Sequence, residues 1–281
     1  MMPTPLIDAT VLLEIYQQHQ DLILLDARSG ADAKAKYKIS HLKDAYWIDL
    51  NADLAAIKED ASNGGRHPLP SIEVFAETVA NFGISENTYV VVYDDKSGAN
   101  AAARCWWMLK ALGHEKVAVL NGGISAAEKA GYPMSTGVES SSKKSSPLHT
   151  NEWNLPVSNI DEVKEYSKHP KHLVIDVRES YRYRGESEPI DLVAGHIPGA
   201  INVPYISNLD EDGLFHSPTV LKEKYESVLG EISAENVIVH CGSGVTACHT
   251  ILAMAHAGMS IPKLYVGSWS EWSRRTDYPR A

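Results

Sequence analysis

The run "VIVHCGSGVTACHT", residues 237–250, carries a thiol from an apolar stretch of strand type, through a loop of small residues, into a stretch of helical type. Gly242, Ser243 and Gly244 leave the backbone free to turn several N–H groups toward one centre, and a helix start adds partial positive charge there. Cys241 in such a cradle is expected to ionise more readily than a free cysteine, because the N–H groups stabilise the thiolate. A lone cysteine at a strand end is ordinarily a small buried hydrophobe. Strand, thiol, glycine-rich turn and helix together point instead to a nucleophile. Cys248, about two helical turns further along the same face, is expected to pack in the core, as is Cys105 beside "WWML".

Two chemistries use a thiolate held in this way. A cysteine phosphatase needs an arginine six positions after the cysteine to grip the equatorial phosphate oxygens, and the residue there is Ala247. A loop of small neutral residues suits a smaller cargo, a single sulfur atom carried on Cys241.

The elements around this loop occur twice. "LILLDARSGADAKAKYKISHLKDAYWIDL" and "HLVIDVRESYRYRGESEPIDLVAGHIPGAINVPY" both pass from an apolar strand to Asp-x-Arg, a polar excursion, a His-centred turn and a second apolar strand. "TYVVVYDDKSGANAAARCWWMLKALGH" and "NVIVHCGSGVTACHTILAMAHAGM" follow in the same order. The separations are 150 residues for Asp26 and Asp176, 155 for His41 and His196, and 147 for Asp94 and Cys241. Matching separations in matching order indicate a duplicated domain. Between the copies, "STGVESSSKKSSPLHTNEW" is rich in Ser and Lys and reads as a linker. Short apolar runs alternate with helix-period segments in each copy, which predicts an α/β fold with a mostly parallel sheet flanked by helices. In such sheets ligands gather beyond the carboxyl ends of the strands, where Cys241 is expected.

The 281 residues suffice for two domains of roughly 100–150 residues each. A net charge of −10 argues against a nucleic acid or an anionic membrane as the main partner. The N-terminal stretch lacks the pattern of a secretory or transit leader, and no apolar run approaches 18 residues, so a soluble, cytoplasmic protein is expected. Three cysteines without zinc-ligand spacing and twelve scattered histidines predict free thiols and no metal site.

The loop CGSGVT, the upstream GHIPGAINVP, the duplication and the C-terminal "YVGSWSEW" together resemble the two-domain rhodanese family of sulfurtransferases over essentially the whole chain. The resemblance implies two tandem rhodanese-like domains. Residues 1–138 would form a catalytically silent domain, 139–152 a linker and 153–281 the catalytic domain. It further implies that Cys241 takes up a sulfane sulfur as a persulfide and passes it to cyanide or to a small or protein thiol such as thioredoxin, with no metal or organic cofactor. Family members acting on thiosulfate typically carry basic residues after the cysteine, whereas CGSGVT is the version in those acting on 3-mercaptopyruvate. The charges agree in direction, since a dianionic donor gains more from a cation beside the sulfur. Thiosulfate as donor is the alternative, and a sulfur carrier or thiol-redox binding module without turnover is another.

Residue by residue, the resemblance makes Arg182, six residues after Asp176, the contact for the donor's anionic group, with Arg184 in reserve. A second arginine usual after the Glu-Pro of this loop is missing, because Glu188 and Pro189 are followed by Ile190 and Asp191. His67 of "GGRHPLP" would pair with Ser243 as a proton relay, completed by Asp49 or by the closer positional match Asn51. The amides of Gly242, Ser243, Gly244, Val245 and Thr246 would stabilise the sulfur anion. The Asp26–Arg28 and Asp176–Arg178 pairs and His196 are expected to be structural. Asp94 stands where the other copy has Cys241 and cannot carry sulfur, so the N-terminal copy is expected to serve as a wall of the cleft.

Overall fold

The computed structural model describes residues 4–18, 22–140, 144–148 and 150–281; of the expected linker, residues 141–143 and 149 lie outside the described residues. The chain divides into two compact units. Met1–Ala55, Pro70–Asn154 and Glu211–Phe215 make the first, and Ala56–Leu69, Leu155–Asp210 and His216–Ala281 make the second. The segment carrying His67 therefore packs in the second unit, although its sequence lies inside the first repeat.

In the first unit, strands β1 (Leu6–Ile7), β2 (Leu22–Asp26), β4 (Ala45–Trp47), β5 (Tyr89–Tyr93) and β6 (Val117–Leu120) form a parallel sheet in the order β1-β6-β5-β2-β4. A small antiparallel pair joins β3 (His41–Leu42) to β7 (Met134–Ser135). Helices α1 (Ala9–Gln17), α2 (Ala33–Ile39), α3 (Ile72–Asn81), α4 (Ala102–Ala111) and α5 (Gly123–Lys129) connect the strands. In the second unit, β8 (Val157–Ser158), β9 (Leu173–Asp176), β10 (Ile201–Asn202), β11 (Val237–His240) and β12 (Lys263–Tyr265) form a parallel sheet in the order β8-β12-β11-β9-β10. Its helices are α6 (Ile160–Tyr166), α7 (Ser180–Tyr183), α8 (Pro218–Leu229), α9 (Ala247–His256) and α10 (Ser268–Trp272). The two strand orders are the same permutation, which is the duplication expressed in topology.

Central strands of a parallel sheet are covered on both faces, so "YVVVY" and "VIVH" are continuously apolar rather than alternating. Val91, Tyr93, Leu24 and Ala118 enter the core of the first unit; Val174, Ile238, Tyr265 and Trp269 enter that of the second. Asp26 and Asp176 end their strands in register with Tyr93 and His240. The next residues along β5 and β11, Asp94 and Cys241, thus leave the carboxyl edges of their sheets at equivalent points.

The Asp-x-Arg pairs fix these edges. Arg28 Nη2 lies 2.6 Å from Asp26 Oδ2 and donates to Ser40 O at 2.8 Å. Arg178 Nη2 lies 2.6 Å from Asp176 Oδ2 and donates to Gly195 O at 2.8 Å. Each guanidinium thereby clamps the turn before the repeat's histidine. His41 Nδ1 meets Tyr37 O at 2.7 Å and His196 Nδ1 meets Tyr183 O at 2.9 Å, with each imidazole stacked on that tyrosine. "SHLKDA" thus keeps the contact of "GHIPGA" despite its divergence.

Candidate active site

Cys241 follows the last residue of β11 and is only 2% exposed. Its N–H donates to Ser268 Oγ at 3.2 Å, its C=O accepts from Trp269 N at 3.0 Å, and Gly242 O accepts from Ser270 N at 2.8 Å. The start of α10 therefore grips the loop by its backbone, and this is the structural work of "YVGSWSEW". Ser268 occupies the left-handed region at φ +53° and donates its hydroxyl to Tyr265 O at 2.8 Å. Gly244 is required twice over: its φ is +73°, and a Cβ there would lie 2.5 Å from Val266 O. Val245 is buried, Thr246 precedes the first residue of α9, and Cys248 Sγ donates to Gly244 O at 3.4 Å inside the core. Cys105 is fully buried in the first unit, where burial pushes its thiol up and out of the reactive range.

The segment 56–69 is docked by main-chain contacts. Gly64 N–H donates to Glu271 Oε1 at 2.8 Å and Arg66 N–H to Ser270 Oγ at 3.0 Å, while the other Glu271 oxygen accepts from Tyr265 OH at 2.8 Å. Gly65, at φ +79°, leaves no room for a Cβ against Gly267 O. This docking brings His67 Nδ1 to 2.7 Å from Ser243 Oγ. Asp49 belongs to the first unit and closes its own turn, with Oδ1 accepting from Asn51 N at 2.8 Å and Ala52 N at 3.1 Å. Asn51 is exposed.

Arg182, on α7, is buried and forks onto Glu188, with Nη2 donating to Oε1 at 2.8 Å and Nε donating to the same oxygen at 3.1 Å. Burial works to lower its pKa, but the bond to Glu188 raises it above the ordinary guanidinium value. Burial works to raise Glu188, yet Arg182 and the amides of Asp191 and Ile190 hold it below the usual carboxyl range. Asp176 follows the same pattern, with burial opposed by the charges of His240 and Arg178 and the net shift downward. Burial pushes the His240 imidazole down, opposed by the charge of Asp176. Arg184 stands on the surface, its Nε donating to Glu186 at 2.6 Å.

One residue at this site escaped the sequence reading. Arg66 Nε donates to Asp191 Oδ1 at 3.0 Å, and its Nη2 lies 3.1 Å from where a Cβ on Gly242 would sit; Arg182 Nη2 lies 3.4 Å from that same point. Its adjacency to His67 was the available signal, but its partner Asp191 is 125 residues away. The geometry collects a thiol at a strand end, a hydroxyl–imidazole pair and two guanidiniums around three consecutive residues, 241–243. No group of three or more metal-ligating side chains occurs among the described residues.

The model of the rhodanese-like domain matches residues 8–130 and again 159–275. A probable 3-mercaptopyruvate sulfurtransferase of Pseudomonas aeruginosa is 37% identical over 258 residues, 90% of this chain and 89% of that one. A putative thiosulfate sulfurtransferase of Mycobacterium tuberculosis is also 37% identical, over 95% of this chain and 93% of its own length. Among solved structures, 3-mercaptopyruvate sulfurtransferase from Leishmania major superposes with a TM-score of 0.82 at 30% identity, covering 96% of this chain and 74% of that one.

Proposed function

Because the chain belongs to the rhodanese-like family, we propose that it is a sulfurtransferase that moves a sulfane sulfur from 3-mercaptopyruvate through a persulfide on Cys241. The observation that carries this reading is Cys241 itself, held by its backbone at the carboxyl edge of the central strand β11 with Ser243 and His67 beside it. The Cys241 thiolate attacks the donor's sulfur; a new S–S bond forms, the C–S bond breaks, and its electron pair leaves as pyruvate enolate. The Ser243–His67 pair delivers the proton that turns enolate into pyruvate. Cyanide, or a thiol such as that of thioredoxin, then attacks the outer sulfur and releases the Cys241 thiolate. The loop amides from Gly242 to Thr246 stabilise the sulfur anion in both steps.

Arg182 binds the donor's anionic end, and Arg184, engaged with Glu186 on the surface, is not needed for it. A reducing compartment such as the cytoplasm keeps Cys241 available as a thiol. At the equivalent strand end of the first unit stands Asp94, whose carboxylate cannot carry a sulfane sulfur.

Initial rates of sulfur transfer to cyanide from 3-mercaptopyruvate and from thiosulfate, measured side by side on the wild type and on Cys241→Ser, test this reading. A strong preference for 3-mercaptopyruvate, lost by at least about 1000-fold in Cys241→Ser, is expected. Retention of a tenth of the activity in Cys241→Ser would rule out the persulfide mechanism. Preference for thiosulfate would keep the mechanism and change the donor.

A further inference from the structure

The position after Glu188–Pro189 that lacks an arginine holds instead a carboxylate whose side chain is completely buried, Asp191. Its N–H donates to Glu188 Oε1 at 3.1 Å, so the same carboxylate that fixes Arg182 also fixes the main chain of Asp191. Three guanidiniums converge on it. Arg66 Nε lies 3.0 Å from Oδ1, Arg274 Nη1 3.3 Å from Oδ1, and Arg182 Nη2 3.5 Å from Oδ2. A buried carboxylate normally takes one fork-shaped partner. Here one carboxylate orients cations drawn from three separate stretches of chain.

Four guanidiniums, those of Arg66, Arg178, Arg182 and Arg274, pair with three buried carboxylates, those of Asp176, Glu188 and Asp191, and the half-exposed Glu179 lies 3.4 Å from Arg182. The Nη2 atoms of Arg66 and Arg182 both arrive beside Gly242, 3.1 and 3.4 Å from where a Cβ would sit, with Asp191 Oδ2 between their charges at 3.4 Å from the same point. Arg66 is the more accessible of the two, with 26% of its side chain exposed against 7% for Arg182. It is also the peptide neighbour of His67, which contacts Ser243, so consecutive residues of one docked segment flank consecutive residues of the Cys241 loop.

We infer that Arg66 is the second binding group for the anionic end of the sulfur donor, acting with Arg182, and that Asp191 is the positioning residue that sets the two guanidiniums side by side. The inference rests on the sulfurtransferase reading for the identity of the ligand but on the geometry alone for the presence of an anion site. A carboxylate, as in 3-mercaptopyruvate, and the oxygen-bearing end of thiosulfate share the chemistry recognised here, bidentate acceptance from guanidinium N–H groups. What would look like a lost anchor in the sequence is a charge exchange in space: the carboxylate moved onto one loop and the cation came from another.

The test has two independent readouts on the intact protein. The first is steady-state kinetics with each donor for the wild type, Arg66→Ala, Arg66→Lys and Asp191→Asn. Arg66→Ala is expected to raise KM for the preferred donor by about tenfold or more while changing kcat by less than about threefold. Arg66→Lys should recover part of that loss, because it restores the charge without the fork. Asp191→Asn should raise KM in the same direction by releasing both arginines. The second readout is protection against thermal unfolding by pyruvate and by thiosulfate, which needs no turnover and so survives failure of the sulfurtransferase reading. Loss of that protection in Arg66→Ala supports the anion site even if the wild type transfers sulfur from neither donor. An unchanged KM and undiminished protection in a folded Arg66→Ala would overturn the inference, and a larger pyruvate effect than thiosulfate effect would assign the site to carboxylates.

Discussion

The loops after β5 and β11 leave the same strand of the same sheet order and are tied down in the same way, yet their centres hold opposite things. Ile124 N donates to Asp94 O at 3.0 Å as Trp269 N donates to Cys241 O at 3.0 Å. In the first unit the Asp94 carboxylate turns back into its own loop and accepts N–H bonds from Lys96, Gly98, Asn100 and Ala102 at 2.8–3.1 Å. Burial pushes its carboxyl up, opposed by the amides of Lys96, Gly98 and Ala102. In the second unit the corresponding residue is a thiol, and α9 begins six residues after it rather than the eight that separate Asp94 from α4. The loop after β5 closes its amides on its own carboxylate, whereas in the proposed function the loop after β11 keeps its amides for the sulfur anion formed on Cys241. The gripping residues differ as well. Gly123, at φ +60°, stands one residue before Ile124, where the second unit has Ser268, whose hydroxyl accepts from Cys241 N.

If Asp94 is the internal ligand of its loop, Asp94→Ala leaves four amides without an acceptor in a buried site. A loss on the order of 4 kcal/mol in denaturant unfolding is expected, with sulfur transfer by the remaining folded protein unchanged. An Asp94→Ala protein as stable as the wild type would break the comparison. In the second loop Gly244→Ala forces a side chain into a left-handed residue and against Val266 O. About 3 kcal/mol of stability should go, together with most of the transfer activity, since the same turn shapes the cradle. Full activity in that variant would mean that the turn does not need its present form.

A smaller effect belongs to Glu188, which has no equivalent in the structural pairing of Asp26 with Arg28. Its pKa is lowered in the folded protein, so it contributes stability above the ordinary carboxyl range, and that contribution is lost as pH falls through the lowered folded value. Glu188→Gln is expected to be less stable than the wild type by about 2 kcal/mol at pH 7. The gap should begin to narrow as the pH falls below the ordinary glutamate value of about 4.3 and close only below the lowered folded value, where both proteins lack the charge. A gap independent of pH would show that Glu188 works through shape and not through its charge.

Much of this architecture was legible because it is local or periodic. The strand-to-helix corner around Cys241, the exclusion of Arg from position 247, the repeat spacing and the parallel α/β class all lie within short windows, where sequence and backbone geometry are directly coupled. The Asp-x-Arg pairs were legible for the same reason, since partners two residues apart at a strand end meet whatever the rest of the chain does. The resemblance supplied His67 and Arg182, and both stand beside the loop, with His67 against Ser243 and Arg182 near Gly242. The resemblance also offers Asp49 as the carboxylate of the relay, with Asn51 the closer positional match; the Asp49 carboxylate is engaged by its own turn.

The sequence by itself determined that the fold is built twice and that only one copy carries a cysteine at the corner after its central strand. Only the tertiary structure decided what surrounds that thiol. It packed residues 56–69 of the first repeat into the second unit, set Arg66 against a carboxylate 125 residues away, and turned Asp191 from a missing anchor into the group that aims two cations. The physical reason is range: backbone conformation and side-chain alternation are set by neighbours along the chain, whereas the partners of a buried charge are set by whatever the packing brings within about 3 Å, and no local pattern records that choice.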